Sequence, residues 1–222
     1  MRKALFFLAL ILSIFFTAQA GYIIRGMPAM VDPAYLNNYT LTFDRNDEPV
    51  SAASMIEPRT GWHSIVIVQA NDRGAYIFPI TIDHENLEIE VRDFHRLKDD
   101  TDTYVLCGSR GTGATARAFV AVMRGDYSSM QFIEYPEADK FYSIWADYDP
   151  SFIYSFDGFF ACGTKGTAGV IASIDDATLQ LRALHRTDEN WEYHKVIFKK
   201  DELAGRFRFV VSGRDPEYTR IG

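Results

Sequence analysis

Tyr104-Val105-Leu106-Cys107-Gly108-Ser109-Arg110 and Phe159-Phe160-Ala161-Cys162-Gly163-Thr164-Lys165 share one pattern: four apolar residues, a glycine, a hydroxyl residue and a base. A short run of apolar residues bounded by turn chemistry reads as a buried strand. Each copy is followed by a small-residue turn, Gly111-Thr112-Gly113-Ala114 in the first and Gly166-Thr167-Ala168 in the second. A second strand follows each turn, Ala118 to Met123 and Gly169 to Ile174. A third copy begins at Phe207-Arg208-Phe209-Val210-Val211-Ser212-Gly213-Arg214, so the glycines stand 55 and then 50 residues apart. Ser64 to Gln69, followed by the turn Asn71 to Gly74 and by Ala75 to Phe78, reads as a blurred earlier copy.

Two further strands fit between copies. They are Met130–Tyr135 and Lys140–Trp145 in the first interval, Thr178–Leu184 and Trp191–Phe198 in the second. Leu179, Leu181 and Ala183 alternate with polar residues, the period of a half-buried strand. Turns are expected at Arg124–Asp126, Pro136–Asp139, Asp147–Pro150, Asp157-Gly158 and Asp175-Asp176. Four short strands recurring every ~40 to 55 residues describe a β-propeller blade, because one such sheet cannot bury both its faces alone. The expected fold is therefore all-β, a β-propeller-like array of four-stranded antiparallel blades, with a β-sandwich or barrel as the alternative. About three and a half units are visible, so either Tyr22 to Met55 contributes closing strands or the array is incomplete. The end of the chain inside the third copy favours truncation of a longer parent.

The pattern around Cys107 and Cys162, with Ala118-Phe119-Val120-Ala121 after the first, resembles the blade repeat of secreted bacterial β-propeller proteins. The resemblance covers roughly residues 60 to 215. It implies a fold and an exported location, and it carries no catalytic residues with it.

Arg2 and Lys3, the apolar stretch Leu5 to Phe16 and the small-residue exit Ala18-Gln19-Ala20 compose a secretory signal peptide over residues 1–20. The apolar run is too short to span a bilayer as a mature helix, and no cysteine follows the cleavage site for a lipid anchor. Residues 21–222 are then expected to be one secreted domain, periplasmic or extracellular, not inserted in a membrane. The whole chain carries 23 Lys and Arg against 30 Asp and Glu, a net charge of −7, and loss of Arg2 and Lys3 takes it to −9. Such a surface disfavours nucleic acid and anionic lipid.

Two cysteines in an exported chain suggest a disulfide. Cys107 and Cys162, however, occupy equivalent places in successive copies, and equivalent places lie further apart than the ~7 Å a bridge allows. They are expected to be separate buried thiols.

No constellation of catalytic residues stands out. The two glycine segments, Gly108 to Gly113 and Gly158 to Lys165, lack the Gly-Lys-Ser/Thr of a phosphate loop and are followed by strands, so both read as turns between strands. His63, His84, His95, His185 and His194 show no metal-ligand spacing. His84 belongs to a polar loop, and His185 and His194 flank a solvated hairpin turn, Arg186 to Asn190. Lys98 to Asp102 lacks the alternating donors and central glycine of a calcium loop. Asn38-Tyr39-Thr40 is a glycosylation sequon that matters only in a eukaryotic source. Trp62, Trp145 and Trp191 could stack on sugar, but packing between blades is the default for the last two. No cofactor or metal is expected, and catalytic and ligand-binding residues stay unassigned. The preferred function is a secreted, non-catalytic binding or interaction module for a protein or glycan. A carbohydrate-active propeller enzyme, its site assembled from separate blades, is the alternative; a fragment without independent function is the third reading.

Overall fold

The computed structural model describes residues 36–44, 46–56, 61–71, 74–81, 87–97, 103–123, 130–146, 158–201 and 206–214. The expected leader, the Lys98–Asp102 run, the His84 loop and the turns at 124–126 and 147–150 lie outside them, as does Asp157. The chain divides into two compact units, Met1–Asn86 and Leu87–Gly222, where the sequence suggests a single domain over 21–222.

The first unit holds sheet I: β1 (Leu36–Phe43), β2 (Pro49–Ile56), β3 (His63–Asn71) and β4 (Gly74–Thr81), each antiparallel to its neighbour in chain order. Val50, Ala52, Ala53, Ile65, Val66 and Ile67 are fully buried, so β2 and β3 are covered on both faces.

The second unit holds three sheets. Sheet II is β5 (Ile89–Arg96), β6 (Tyr104–Arg110), β7 (Arg117–Met123) and β8 (Met130–Tyr135). Sheet III is β9 (Lys140–Trp145), β10 (Phe159–Lys165), β11 (Ala168–Ile174) and β12 (Leu181–Asn190). Sheet IV is the hairpin β13 (Glu192–Asp201) and β14 (Arg206–Arg214). The protein is all-β, built of small antiparallel sheets. The two clearest copies of the sequence pattern, β6 and β10, are both second strands of a four-stranded meander, and β14 is the second strand of its hairpin.

The strands of sheet III divide their side chains between two cores. Phe159 and Ala161 of β10 turn to one side, into a cluster with Val105, Cys107, Ala118, Val120 and Tyr135 of sheet II. Phe160 and Cys162 turn to the other, against Val196 and Val211 of sheet IV. Period-two alternation thus buries both faces of one strand between two neighbouring sheets. That is why the pattern shows a continuous apolar run rather than alternation.

Several expectations need correction. Ser64–Gln69 is in the third strand of its sheet, not the second, so the blurred copy is out of step by one strand. Gly108 and Gly163 lie inside β6 and β10, so the glycine segments Gly108–Gly113 and Gly158–Lys165 are not turns throughout; the turns at Gly111 and Gly166 fall where the repeat pattern puts them. Arg186 to Asn190 is not a hairpin turn but the end of β12, and β13 pairs with β14 rather than with β12. The strand expected from Thr178 begins at Leu181. Asp175 holds the preceding turn, its Oδ1 accepting from the backbone N–H of Thr178 at 2.8 Å and from the Thr178 hydroxyl at 2.8 Å. Leu179 adopts φ 55° there and is fully buried in the core shared by sheets II and III. Burial of its side chain, of order 1.5–3 kcal/mol, offsets the ~1–2 kcal/mol left-handed penalty. A bulge between the Ser173–Ala183 and Ile174–Leu181 pairs then shifts the phase of β12, which leaves Ala183 exposed.

Asp175 gives a local test. Hydrogen bonds from Thr178 and Arg182 hold its carboxyl at about 2. A folded-state value below the unfolded one means that its contribution to stability is complete above the ordinary aspartate range and fades as pH falls toward 2. A carboxyl-carbon NMR titration should find Asp175 still ionised at pH 3, and in Thr178→Val it should titrate nearer the ordinary range.

Candidate functional site

The glycines of the repeated pattern mark the place where polar residues converge. Opposite each one, the first strand of its sheet carries one extra residue. In β5 the register jumps from Val91–Gly108 to Asp93–Cys107, leaving Arg92 as the bulge. In β9 it jumps from Phe141–Gly163 to Ser143–Cys162, leaving Tyr142. In β13 it jumps from Tyr193–Gly213 to Lys195–Ser212, leaving His194. Each bulge bends its strand. A Cβ on Gly108, Gly163 or Gly213 would overlap the carbonyl oxygen of Glu90, Lys140 or Glu192 respectively. Glycine is needed at these three positions for close approach, not for turn conformation.

Residues in equivalent places therefore meet. The residues after the bulge are Asp93, Ser143 and Lys195. Asp93 is 9% exposed. Its Oδ2 accepts from the Ser143 hydroxyl at 2.8 Å, the Ile144 N–H at 3.1 Å and the Lys195 ammonium at 3.0 Å. Its Oδ1 accepts from the Phe94 N–H at 3.1 Å and lies 3.1 Å from His95 Nε2. Burial alone would raise the carboxyl; His95, Lys195 and Ser143 outweigh it and hold the group well below the usual carboxylate range. A carboxylate held so firmly in its charged form is a poor proton shuttle near neutral pH. It serves instead as a clamp joining the first strands of sheets II, III and IV.

The bulge residues make a second row. The Arg92 guanidinium carbon sits 5.6 Å from the Tyr142 ring centroid. The His194 ring stacks at 4.7 Å with a 34° tilt, and the Lys140 ammonium lies 5.7 Å from the Tyr142 centroid. Glu90 pairs with Arg92 and, at 2.6 Å, with Lys140, while Glu192 Oε2 lies 3.2 Å from His194 Nε2. Burial would raise the Glu90 carboxyl, but Lys140 and Arg92 together lower it. The row is half-exposed; its carboxylates are paired with neighbouring cations, while the Arg92 Nε is buried without a hydrogen-bond acceptor.

The cysteines flank this centre. Cys107 Sγ points to the Phe141 carbonyl at 3.8 Å, and Cys162 Sγ points to the Tyr193 carbonyl at 3.6 Å. Each thiol thus faces the next sheet, Cys107 in the core between sheets II and III and Cys162 in that between III and IV. Both are free and buried, as the equivalence of their copies predicts. Burial, then the Asp93 charge, pushes Cys162 up to about 12 and Cys107 well above the ordinary thiol range. Neither is a reactive thiolate. An Ellman titration of the native protein should count no fast-reacting thiol, and two after denaturation.

The other residues weighed in the sequence scatter. His63 opens β3, and His185 is exposed on β12, away from the bulges. Trp145 lies 6.4 Å from Phe160 and packs on the core between sheets III and IV, which answers the default of packing over sugar stacking. Asn38 of the sequon is exposed, with φ 53°, at a bulge in β1. Among the described residues no group of three or more His, Cys, Asp or Glu side chains is placed to hold a metal, and no helix is long and apolar enough to cross a membrane. Sequence reasoning missed Asp93, Ser143 and Lys195, which share a position but not a chemistry. The signal available was the recurring mid-strand glycine, which marks the bulge opposite. No family model matches the chain, and no curated protein matches it in sequence.

Proposed function

We propose that this chain is an exported, non-catalytic binding or interaction module for a protein or glycan ligand, built as a β-propeller-like array of four-stranded repeats. The leader pattern of residues 1–20 supports export to the periplasm or exterior. The repeat and the array are supported by consecutive meanders, by the glycine-against-bulge device in the first two strands of sheets II, III and IV, and by the face-to-face packing of those sheets. The observation that carries the non-catalytic reading is the pairing of ionisable groups where the first strands meet. Asp93 is committed to Lys195, Ser143 and backbone N–H groups, and Glu90 to Arg92 and Lys140. A general acid or base needs a proton it can gain or lose near the working pH, and these carboxylates are locked in one state.

The test is a screen of the mature chain, starting at Gly21, against glycan arrays and extracellular protein libraries, followed by calorimetry on any hit. Saturable binding that leaves the ligand chemically intact is the expected result. Hydrolase or lyase turnover of a defined polysaccharide, lost in Asp93→Asn with the fold retained, would replace this reading with the carbohydrate-active enzyme.

A further inference from the structure

The charged side chains where β5, β9 and β13 meet are layered. The bases Arg92, His95, Lys140, His194 and Lys195 have side chains 27% to 47% exposed. The acids they pair with, Glu90, Asp93 and Glu192, are only 12% to 23% exposed. Every base is thus more exposed than every acid. Lysine and arginine bring three charges against three carboxylates, so the sign of this surface comes from the layering and not from an excess. A group arriving from solvent meets the outer, basic layer first, and Coulomb energy falls with distance. The patch presents positive charge in a chain whose net charge is −7.

Arg92 at its centre is short of acceptors. Among the described residues its guanidinium has one carboxylate partner, Glu90, and Lys140 takes the other oxygen of that carboxylate at 2.6 Å. The Arg92 Nε has no acceptor at all. A guanidinium offers five N–H donors in a planar fork that matches a carboxylate or a phosphate. The Tyr142 ring, 5.6 Å from the guanidinium carbon, helps to hold this fork in place. A donor already held in place loses little side-chain freedom when a ligand binds.

We propose that this patch is the docking point of a small oxyanion, a carboxylate or phosphate group carried by the ligand of the binding module. The inference rests on that reading of the chain and gives it a site and a ligand chemistry. Net charge sets the size of the anion. Screening confines a surface charge to about 8 Å at physiological ionic strength. A single anionic group seated among these bases therefore feels them more than it feels the acidic remainder. An extended polyanion such as nucleic acid would run out over that remainder and be repelled.

An NMR titration of the isotope-labelled mature chain with inorganic phosphate and with glucuronate tests it, glucose serving as the neutral control. The expected result is a saturable shift of the Arg92, Tyr142 and Lys195 amides with at least one anion and none with glucose; the tighter anion identifies the group. Arg92→Gln should weaken binding about ten-fold, the loss of a hydrogen bond to a charged group, and Lys195→Gln about three-fold. Arg186→Gln, which removes an exposed base at the end of β12, should leave it unchanged. Arg92→Gln must keep the wild-type thermal transition; if it does not fold, Lys140→Gln takes its place. No saturable shift with either anion, an equal response to glucose, or an affinity unchanged in these site variants each overturns the proposal. A negative titration beside a ligand found in the screen would move the site elsewhere and leave the binding module intact. Turnover in that screen would overturn the module whatever anion binds here.

Discussion

Replacing Gly163 with alanine should destabilise the second unit by about 3 kcal/mol, the upper end of what a single added carbon costs in a tight core. The added Cβ would overlap the Lys140 carbonyl oxygen and press on the Phe141 backbone. Both are main-chain atoms on the bulged stretch of β9, so no flexible side chain can swing away. Relief requires the bulge to flatten, and flattening would slip Ser143 off Asp93. Gly108→Ala meets the Glu90 carbonyl in the same way and should behave alike. Gly166→Ala is the control. Its φ is +59° and nothing lies near the added carbon, so only the left-handed penalty of about 1 kcal/mol applies. Urea unfolding of the three variants, with unchanged m-values, measures the difference. Equal costs at Gly163 and Gly166 would show that close approach to the bulge is not what requires glycine.

Asp93→Ala should cost about 3 kcal/mol, because it removes a buried carboxylate and leaves the Ser143 hydroxyl and the Ile144 N–H without their acceptor. Lys195→Met should cost about 1 kcal/mol or less, since the lysine side chain is 47% exposed and water replaces much of the lost contact. A double-mutant cycle between the two positions isolates their coupling. The pH dependence has a definite sign. The folded carboxyl lies below its unfolded value, so its contribution is complete above the ordinary aspartate range and is lost as pH falls beneath it. Wild type and Asp93→Asn should therefore differ most near neutral pH and converge in acid. A gap that widened on acidification would contradict the clamp.

Much of the strand order was legible because β6, β7, β10 and β11 are buried on both faces and therefore appear as unbroken apolar runs between small-residue turns. The separation of the cysteines was legible for the same reason: equivalence of position implies one sheet of distance. Legibility failed where local rules compete. Arg186 to Asn190 has the composition of a turn, yet it extends β12 because pairing with β11 decides the outcome. The alternation through Leu179 to Ala183 implies a single phase, and the bulge at Arg182 inverts it. The central cluster was illegible for a deeper reason. Asp93, Ser143 and Lys195 are about fifty residues apart and chemically unlike, so only the pairing register reveals that they hold the same place. The mid-strand glycines carry that information, but in Gly108–Gly113 and Gly158–Lys165 glycine-rich composition reads as a turn.

Within each of the four sheets the strands pair with their immediate neighbours in the chain. Such hairpins close short loops and form early, at little cost in chain entropy. The Asp93–Lys195 bond is the opposite case, since it joins residues 102 positions apart. Among the described residues, sheet IV meets sheet III through the apolar cluster around Phe160, Cys162 and Val196 and the His194–Tyr142 ring contact, and it meets sheet II at the Asp93–Lys195 ion pair. The assembly of this unit should therefore end with the docking of the β13–β14 hairpin, and its opening should begin there. Native-state hydrogen exchange would then rank the hairpin amides below those of β6 and β10, a hierarchy of local openings within one chain.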